Sequence, residues 1–472
     1  MIRRIAVKEM TEMFRDGRFR WASALLLGLM LVALATGATN SRALAREHDA
    51  AQETMRGFWV NQGAKNPHSA AHYGLWVFKP KMPLSFVDYG VDNYTGVTTW
   101  LEAHKQNEFT RRPAMDQASV ARFGEWTAAA VLQLLVPLLI VMLAFPAFAG
   151  ERETGTLRQL IALGVPMRTL MMGKAIGLAS ALAAVLVPAT ILGVGTLAIG
   201  ANFGRGTDDV LRFAAMIGAY LLYFTVVLVI ALAVSARTTG VRIALLTLLA
   251  FWTVNSLVAP RAVADLARRA YPTPSSFAFQ AGVQRDTERG LDGHNPADAR
   301  RKAVEEQALR EYRTISLDAL PVNFDAIAMQ ASEEYANTVF DKHFGDLYDQ
   351  YRAQNTLTQW SGLVSPLLAV RSLSMGLAGT DIEQHRDFAV QAELYRRGLI
   401  KWTNNYFRDN TRTGEWDWKA PPELWAKYQS FVYDAPGMSQ TLRHQGAALS
   451  VLAIWLLVAL GLLWSTPAPR VA

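Results

Sequence analysis

Three histidines carry the first chemical possibility in this chain. His68 and His72 are four residues apart, so a helix would turn both imidazoles to one face, and His104 could complete a set of nitrogen ligands for a metal ion. Pro67 just before the pair and Gly74 just after it argue against such a helix, and the H-E-x-x-H pattern that would add a general base is absent. The expectation is therefore scattered hydrogen-bonding or surface histidines and no metal site, with His294 a turn or cap residue. The chain has no cysteine, which excludes a disulfide framework, cysteine-held zinc or iron–sulfur clusters, and thiol catalysis. It also lacks a G-x-S-x-G nucleophile motif and a G-x-x-x-x-G-K-[ST] phosphate loop. Glu333 and Glu334 fall on a predicted solvated helix, so no catalytic residue and no cofactor of this chain's own is expected.

The elements that must hold these residues are set by composition. Of 472 residues 51% are hydrophobic and only 18% charged, which makes a purely soluble enzyme unsuitable as a reading and excludes disorder. Long apolar stretches without charge run from Trp21 to Ser41, Trp126 to Gly150, Ala175 to Gly204, Phe213 to Ala236, Ile243 to Pro260 and Gln445 to Pro469. Each can hold a membrane-spanning helix of roughly 20 residues, because in hydrocarbon every backbone group must bond within its own segment. Ala353 to Val370 is uncharged too, but its Gln, Asn, Ser and Pro residues make it too polar to cross. A signal sequence is the alternative reading of the first stretch; the long amphipathic Met1 to Arg20 favours an interfacial helix and an uncleaved span.

The expected fold class is an all-α polytopic membrane protein with six spans. The division is an interfacial helix at 1–20, spans at 21–41, 126–149, 175–200, 212–236, 242–260 and 446–465, a cytoplasmic connection at 150–170, and a tail at 466–472. Segments 42–125 and 261–444 form a mainly helical domain on the other side. Lys and Arg crowd the first segment, the second-to-third connection and the fourth-to-fifth connection, which makes that side cytoplasmic and both termini internal. The two large segments hold all eight histidines. Helices are expected at Ala43–Met55, Ala297–Leu317, Asn323–Gln354 and Asp381–Asn410 from three- and four-residue apolar spacing. Gly193, Gly195 and Gly200 read as packing positions. The spans lack a central ionisable residue, which disfavours a carrier driven by an ion gradient. The net charge of +7 belongs to the membrane side rather than to nucleic acid.

The stretch from Gly150 to Ser180 is the most informative. Glu151 and Glu153 read as the start of a short helix, where carboxylates favour the positive dipole end, and Leu157, Leu160 and Ile161 give it an apolar face. The run Glu151, Glu153, Gly155, Thr156, Leu157, then Leu163, Pro166, Arg168 and Gly173-Lys174, resembles the coupling segment of the type-2 ABC exporter permeases, with its E-x-E-x-G-T-L pattern. Lys8 to Trp21 is similar to that family's interfacial helix. The resemblance implies six spans, a partner ATPase that binds ATP and Mg, a second permease chain, and docking through Glu151, Glu153, Thr154, Gly155, Thr156, Leu157 and Leu160.

It further implies that spans two and five flank the route, so Gln133, Trp252, Thr253, Asn255 and Ser256 could line it. Helix-to-helix hydrogen bonding is the stronger expectation for these residues. The enlarged segments resemble those of a bacterial subgroup with a large periplasmic insertion between spans five and six. The expected function is a permease subunit in the bacterial inner membrane that exports or extracts a substrate in contact with membrane lipid. The alternative is a non-transporting receptor or assembly scaffold that holds a periplasmic protein through its outer helices.

Overall fold

The computed structural model describes residues 1–115, 126–200 and 206–465, so the expected tail at 466–472 lies outside the described residues. The protein is mostly helical, and among the described residues six helices are long and apolar enough to span a membrane: Gly17–Val60, Ala128–Glu153, Met167–Ala198, Thr207–Arg237, Val241–Ala270 and Gly446–Trp464. Two run far past the C-terminal ends that the apolar stretches predict. With no proline between Gly17 and Val60, the first span continues into the domain as one 44-residue helix, roughly 66 Å at about 1.5 Å per residue. The separate helix expected at Ala43–Met55 is its continuation. The fifth span likewise runs past Pro260 to Ala270.

Asp16 separates the first span from a helix at Ile2–Arg15, because its carboxylate accepts from Arg18 N at 2.8 Å and caps the new helix. The Ile2–Arg15 helix lies against the start of the third span. A Cβ at Gly173 would sit 2.6 Å from Ile5 Cβ, and one at Gly177 2.7 Å from Glu9 Cβ. Glycines one helical turn apart thus let the two backbones meet. Among the expected packing positions, a Cβ at Gly193 would lie 3.2 Å from the Phe213 ring, while one at Gly195 would meet open space.

The second and fifth spans each contain a π-helical turn, at Val131–Leu135 and Val254–Val258. Both turns lie just before a proline, Pro137 and Pro260. The extra residue of a π turn rotates the side chains that follow and frequently marks a functional position. Gln133 and Asn255 sit in these turns.

The two inserted segments fold together into one domain. Helix Pro67–Tyr73 and the middle strand of a small antiparallel sheet, β1 (Leu75–Phe78), β2 (Thr98–Glu102) and β3 (Lys105–Gln106), pack on helix Ile382–Asn410, and the end of the first span packs on β1. The sheet order is β1-β2-β3, with Leu75 paired to Leu101 and Leu101 to Gln106. Trp59, Leu75, Val77, Leu101, Phe388, Leu399 and Trp425 form the shared core. Burial of this apolar surface supplies the main driving force for joining the segments. The sheet was not expected from the sequence, whereas the three expected helices are present at Ala297–Glu311, Phe324–Trp360 and Ile382–Asn410, the first ending before Leu317 and the second running past Gln354.

One helix corrects the simple division into spans and domain. The stretch Ala353 to Val370 does not span, yet Pro366–Ala378 is not peripheral either. It is buried between the fourth and sixth spans and touches the π turns of the second and fifth. Pro366, read as a break, occupies the first turn of this helix, where its missing N–H costs nothing.

Candidate functional site

At the end of the bundle that carries the amino terminus, the chain turns between the second and third spans. The second span ends at Glu153 and a separate helix, Thr156–Ala162, begins after Gly155, whose φ of +78° permits the sharp turn. Glu151 and Glu153 therefore end a helix instead of starting one, which corrects the dipole argument: carboxylates at a helix C-terminus need other compensation.

They find it in neighbouring elements. Lys174 Nζ, almost fully buried at the start of the third span, donates to Glu151 Oε1 at 2.8 Å and to Glu9 Oε1 of the first helix at 2.7 Å. Lys8 lies 3.7 Å from Glu151. Glu153 Oε1 accepts from Val241 N at 2.8 Å and so caps the fifth span. Arg152 between them donates to Ala236 O at 2.6 Å and to Thr238 O, the last carbonyls of the fourth span. A buried Ser235 completes the joint: its hydroxyl donates to Phe145 O at 2.7 Å and accepts from Phe148 N and Ala149 N. These bonds satisfy groups left open where Pro146 interrupts the second span.

The short helix itself is anchored by buried Leu157 and half-buried Leu160 and Ile161, the apolar face the spacing predicts. Thr154 and Thr156 share a hydroxyl hydrogen bond of 2.9 Å. Arg158, Gln159 and Ala162 point outward, and Leu163 at the tip is 80% exposed. Arg158, Gln159 and Leu163 thus face outward beside exposed Glu153, Thr154 and Thr156, while Glu151 braces the joint from inside and Glu153 braces it at the surface. Sequence reasoning missed Glu9, Arg152 and Ser235, whose partners lie in other elements.

The polar residues nominated within the spans meet around helix Pro366–Ala378. Asn255 Oδ1 accepts from Ser365 Oγ at 2.9 Å and Leu367 N at 3.2 Å, capping that helix, while its Nδ2 donates to Tyr223 OH at 3.0 Å. Ser374 Oγ donates to Asp88 Oδ2 at 2.6 Å, which directs Tyr220 OH to donate to Ser374 and leaves it to accept from Gln133 Nε2 at 3.0 Å. At the other side Gln445 accepts from Ser372 and Gln359 and donates to Asp381. Ser256 is buried beside Asn255, Trp252 Nε1 donates to Leu134 O, and Thr253 alone is exposed. Gln133, Trp252 and Asn255 are therefore engaged in helix-to-helix hydrogen bonds.

The histidines expected to be scattered are together. Pro67 and Gly74, read as objections to a helix, are its two ends: Asn66 Oδ1 caps it by accepting from His68 N, Pro67 occupies the first turn, and Gly74 closes it. His68 Nε2 and His72 Nε2 are 3.1 Å apart, and one ring nitrogen from each of His68, His72 and His104 lies within 4.8 Å of the others.

Residues 276–433 match a domain of unknown function, DUF3526. That region contains Pro366–Ala378, so the matched domain reaches into the bundle. No curated protein matches the chain. Residues 3–343, well over half of its length, match the ABC-2 family transporter protein model. With six candidate spans, the braced helix between spans two and three, and this match, the chain belongs to the ABC-2 family of membrane transporter proteins as a permease component.

Proposed function

We propose that this permease is the membrane half of an ATP-driven exporter of the bacterial inner membrane, energised by a separate ABC ATPase. Permeases of the ABC-2 family generally work with such a subunit and are typically non-catalytic. The observation that carries the reading is the short helix Thr156–Ala162, which presents exposed Leu163 beside Arg158 and Gln159 on a rigid base. An exposed leucine at the tip of a braced helix fits a cleft in a soluble partner.

ATP and Mg2+ belong to that partner, which closes on the helix from the cytoplasmic side. A push there is carried by Arg152 to the end of the fourth span, by Glu153 to the start of the fifth, and by Lys174 to the third span and the first helix. Three joints move together because each is a charge-assisted bond between different elements. A second copy, or a similar permease, completes the route. Val254, Leu257 and Val258 of the fifth span offer it or the lipid an apolar face. The domain at the opposite end then lies in the periplasm, where it meets cargo or a protein partner.

The test is co-purification in mild detergent from the native host, with ATP hydrolysis measured for wild type, Leu163→Glu and Arg158→Glu. A stoichiometric ATPase with wild type, lost with both variants while each stays monodisperse, is the expected result. Retention of the ATPase by both variants would remove the docking face. Periplasmic partners without any ATPase would instead support a receptor or assembly scaffold.

A further inference from the structure

The histidine cluster lies in the domain, far from the ATPase-facing joint, and the proposed transport cycle does not use it. Its parts come from four separate stretches of chain. Helix Pro67–Tyr73 supplies His68 and His72, one turn apart on one face. The turn between β2 and β3 supplies His104, a non-glycine residue held at φ +65°, and Ala103 N donates to Ala71 O at 3.1 Å to fasten this turn to the helix. Such a left-handed conformation is unfavourable for a residue that carries a Cβ and persists where the surroundings impose it.

The surroundings here are Glu333, on helix Phe324–Trp360. Its buried Oε1 accepts from His104 N at 2.7 Å and lies 2.5 Å from His104 Nδ1. Trp416 from the fourth stretch packs its ring 5.7 Å from His68 and accepts from Asn66 at its carbonyl.

This arrangement has the parts of a metal centre. A zinc ion bound to nitrogen at roughly 2.0–2.1 Å in tetrahedral geometry sets its ligands roughly 3.3 Å apart, close to the 3.1 Å between His68 and His72. Glu333 occupies Nδ1 of His104, which leaves Nε2 for an ion. A carboxylate behind a ligating imidazole fixes its tautomer and orientation and raises its basicity. The Glu333 carboxylate is itself held by Arg396 at 3.5 Å. His72 and His104 are exposed, so an ion has a path in and a fourth position stays open to water or a ligand.

We propose that His68, His72 and His104 form a three-imidazole site for a divalent ion of the zinc and copper class, with Glu333 as the positioning carboxylate. Neutral imidazole suits these ions, whereas calcium and magnesium prefer oxygen ligands. The bound ion would pin the β2–β3 turn to helix Pro67–Tyr73.

The experiment uses the full chain in detergent, purified with a tag free of histidine and stripped by chelator, then titrated with Zn2+ and with Co2+ as a spectroscopic probe of geometry. Wild type is expected to take one ion per chain with the absorption of tetrahedral cobalt. His72→Ala and His104→Asn, the latter chosen because Asn tolerates positive φ, should each weaken binding about 100-fold or more. Glu333→Gln should weaken it about 10- to 100-fold while keeping one ion per chain. Because His72 is exposed, the melting temperature of ion-free His72→Ala should equal that of wild type, which separates lost binding from lost fold. Zinc affinity unchanged in His72→Ala, or no stoichiometric binding by folded wild type, would overturn the proposal.

Discussion

Lys174 is the residue on which the end of the bundle that carries the amino terminus closes. Its ammonium is 2% exposed and lies between the carboxylates of Glu9 and Glu151. Removing Lys174 leaves both carboxylates to the half-exposed Lys8 alone, 3.3 Å from Glu9 and 3.7 Å from Glu151, so the cost approaches but stays below the roughly 3–5 kcal/mol of a wholly unpaired buried charge. Lys174→Met should therefore lower thermal stability in detergent sharply, and Lys174→Met with Glu9→Leu should recover part of the loss. A single variant as stable as wild type would show that the pair is not buried in solution. A second residue-scale effect concerns pH. His385 is buried against Phe109, and burial, helped by Lys79, lowers its pKa to about 3. The folded protein keeps it neutral while the unfolded chain takes up a proton near 6.5. Its stabilising effect is complete above that pH and declines by about 1.4 kcal/mol per unit as pH falls toward 3. Asp88 and Asp381, whose burial raises their pKa values, act in the opposite sense. Replacement of His385 by Gln isolates the histidine: melting curves between pH 7 and 4 should fall less steeply for the variant, and equal slopes would contradict the assignment.

At the scale of elements, helix Pro366–Ala378 depends on spans distant in sequence. Asn255 caps it from the π turn of the fifth span, and Asn255→Ala would leave Leu367 N and Tyr223 OH without their side-chain partner, while Ser365 keeps its bond to the Asn255 carbonyl. Loss of a cap and a buried hydrogen-bonding group points to about 2–3 kcal/mol, read as a drop in detergent melting temperature. Asn255→Asp, which keeps the acceptor, should lose less if capping dominates. The first helix depends on close approach instead. Gly177→Val would drive a side chain into Glu9 and Ala6. It should detach helix Ile2–Arg15, seen as faster proteolysis after Arg3, Arg4 or Lys8. Protection equal to wild type would mean that the helix docks by its charges alone.

For the whole molecule, the matched region 276–433 is not a removable appendage. It carries Pro366–Ala378, and its Ser374 and Ser365 bond to Tyr220 and Asn255 of the spans. Excision of residues 276–433 should therefore yield an aggregated membrane protein on size exclusion, and a monodisperse product would show that the bundle closes without it. By itself the sequence determined the number of spans, the long helices of the inserted segments and the family resemblance at Glu151 to Leu157. These rest on local quantities: apolar run length, three- and four-residue spacing and a short motif. Tertiary structure decided the rest. Glu151 and Glu153 were legible as important but not as braces, because Lys174 and Val241 N reach them from other helices. The histidines were legible as a candidate set but were expected to be scattered; only the fold brings His104 beside the pair and places Glu333 behind it, 229 positions along the chain. Likewise the polar, proline-broken stretch near Pro366 is too short and interrupted to span. It enters the bundle because π turns in two spans aim Gln133 and Asn255 at the network around it. Where a polar group in apolar surroundings finds its partner is a long-range fact, and no local pattern encodes it.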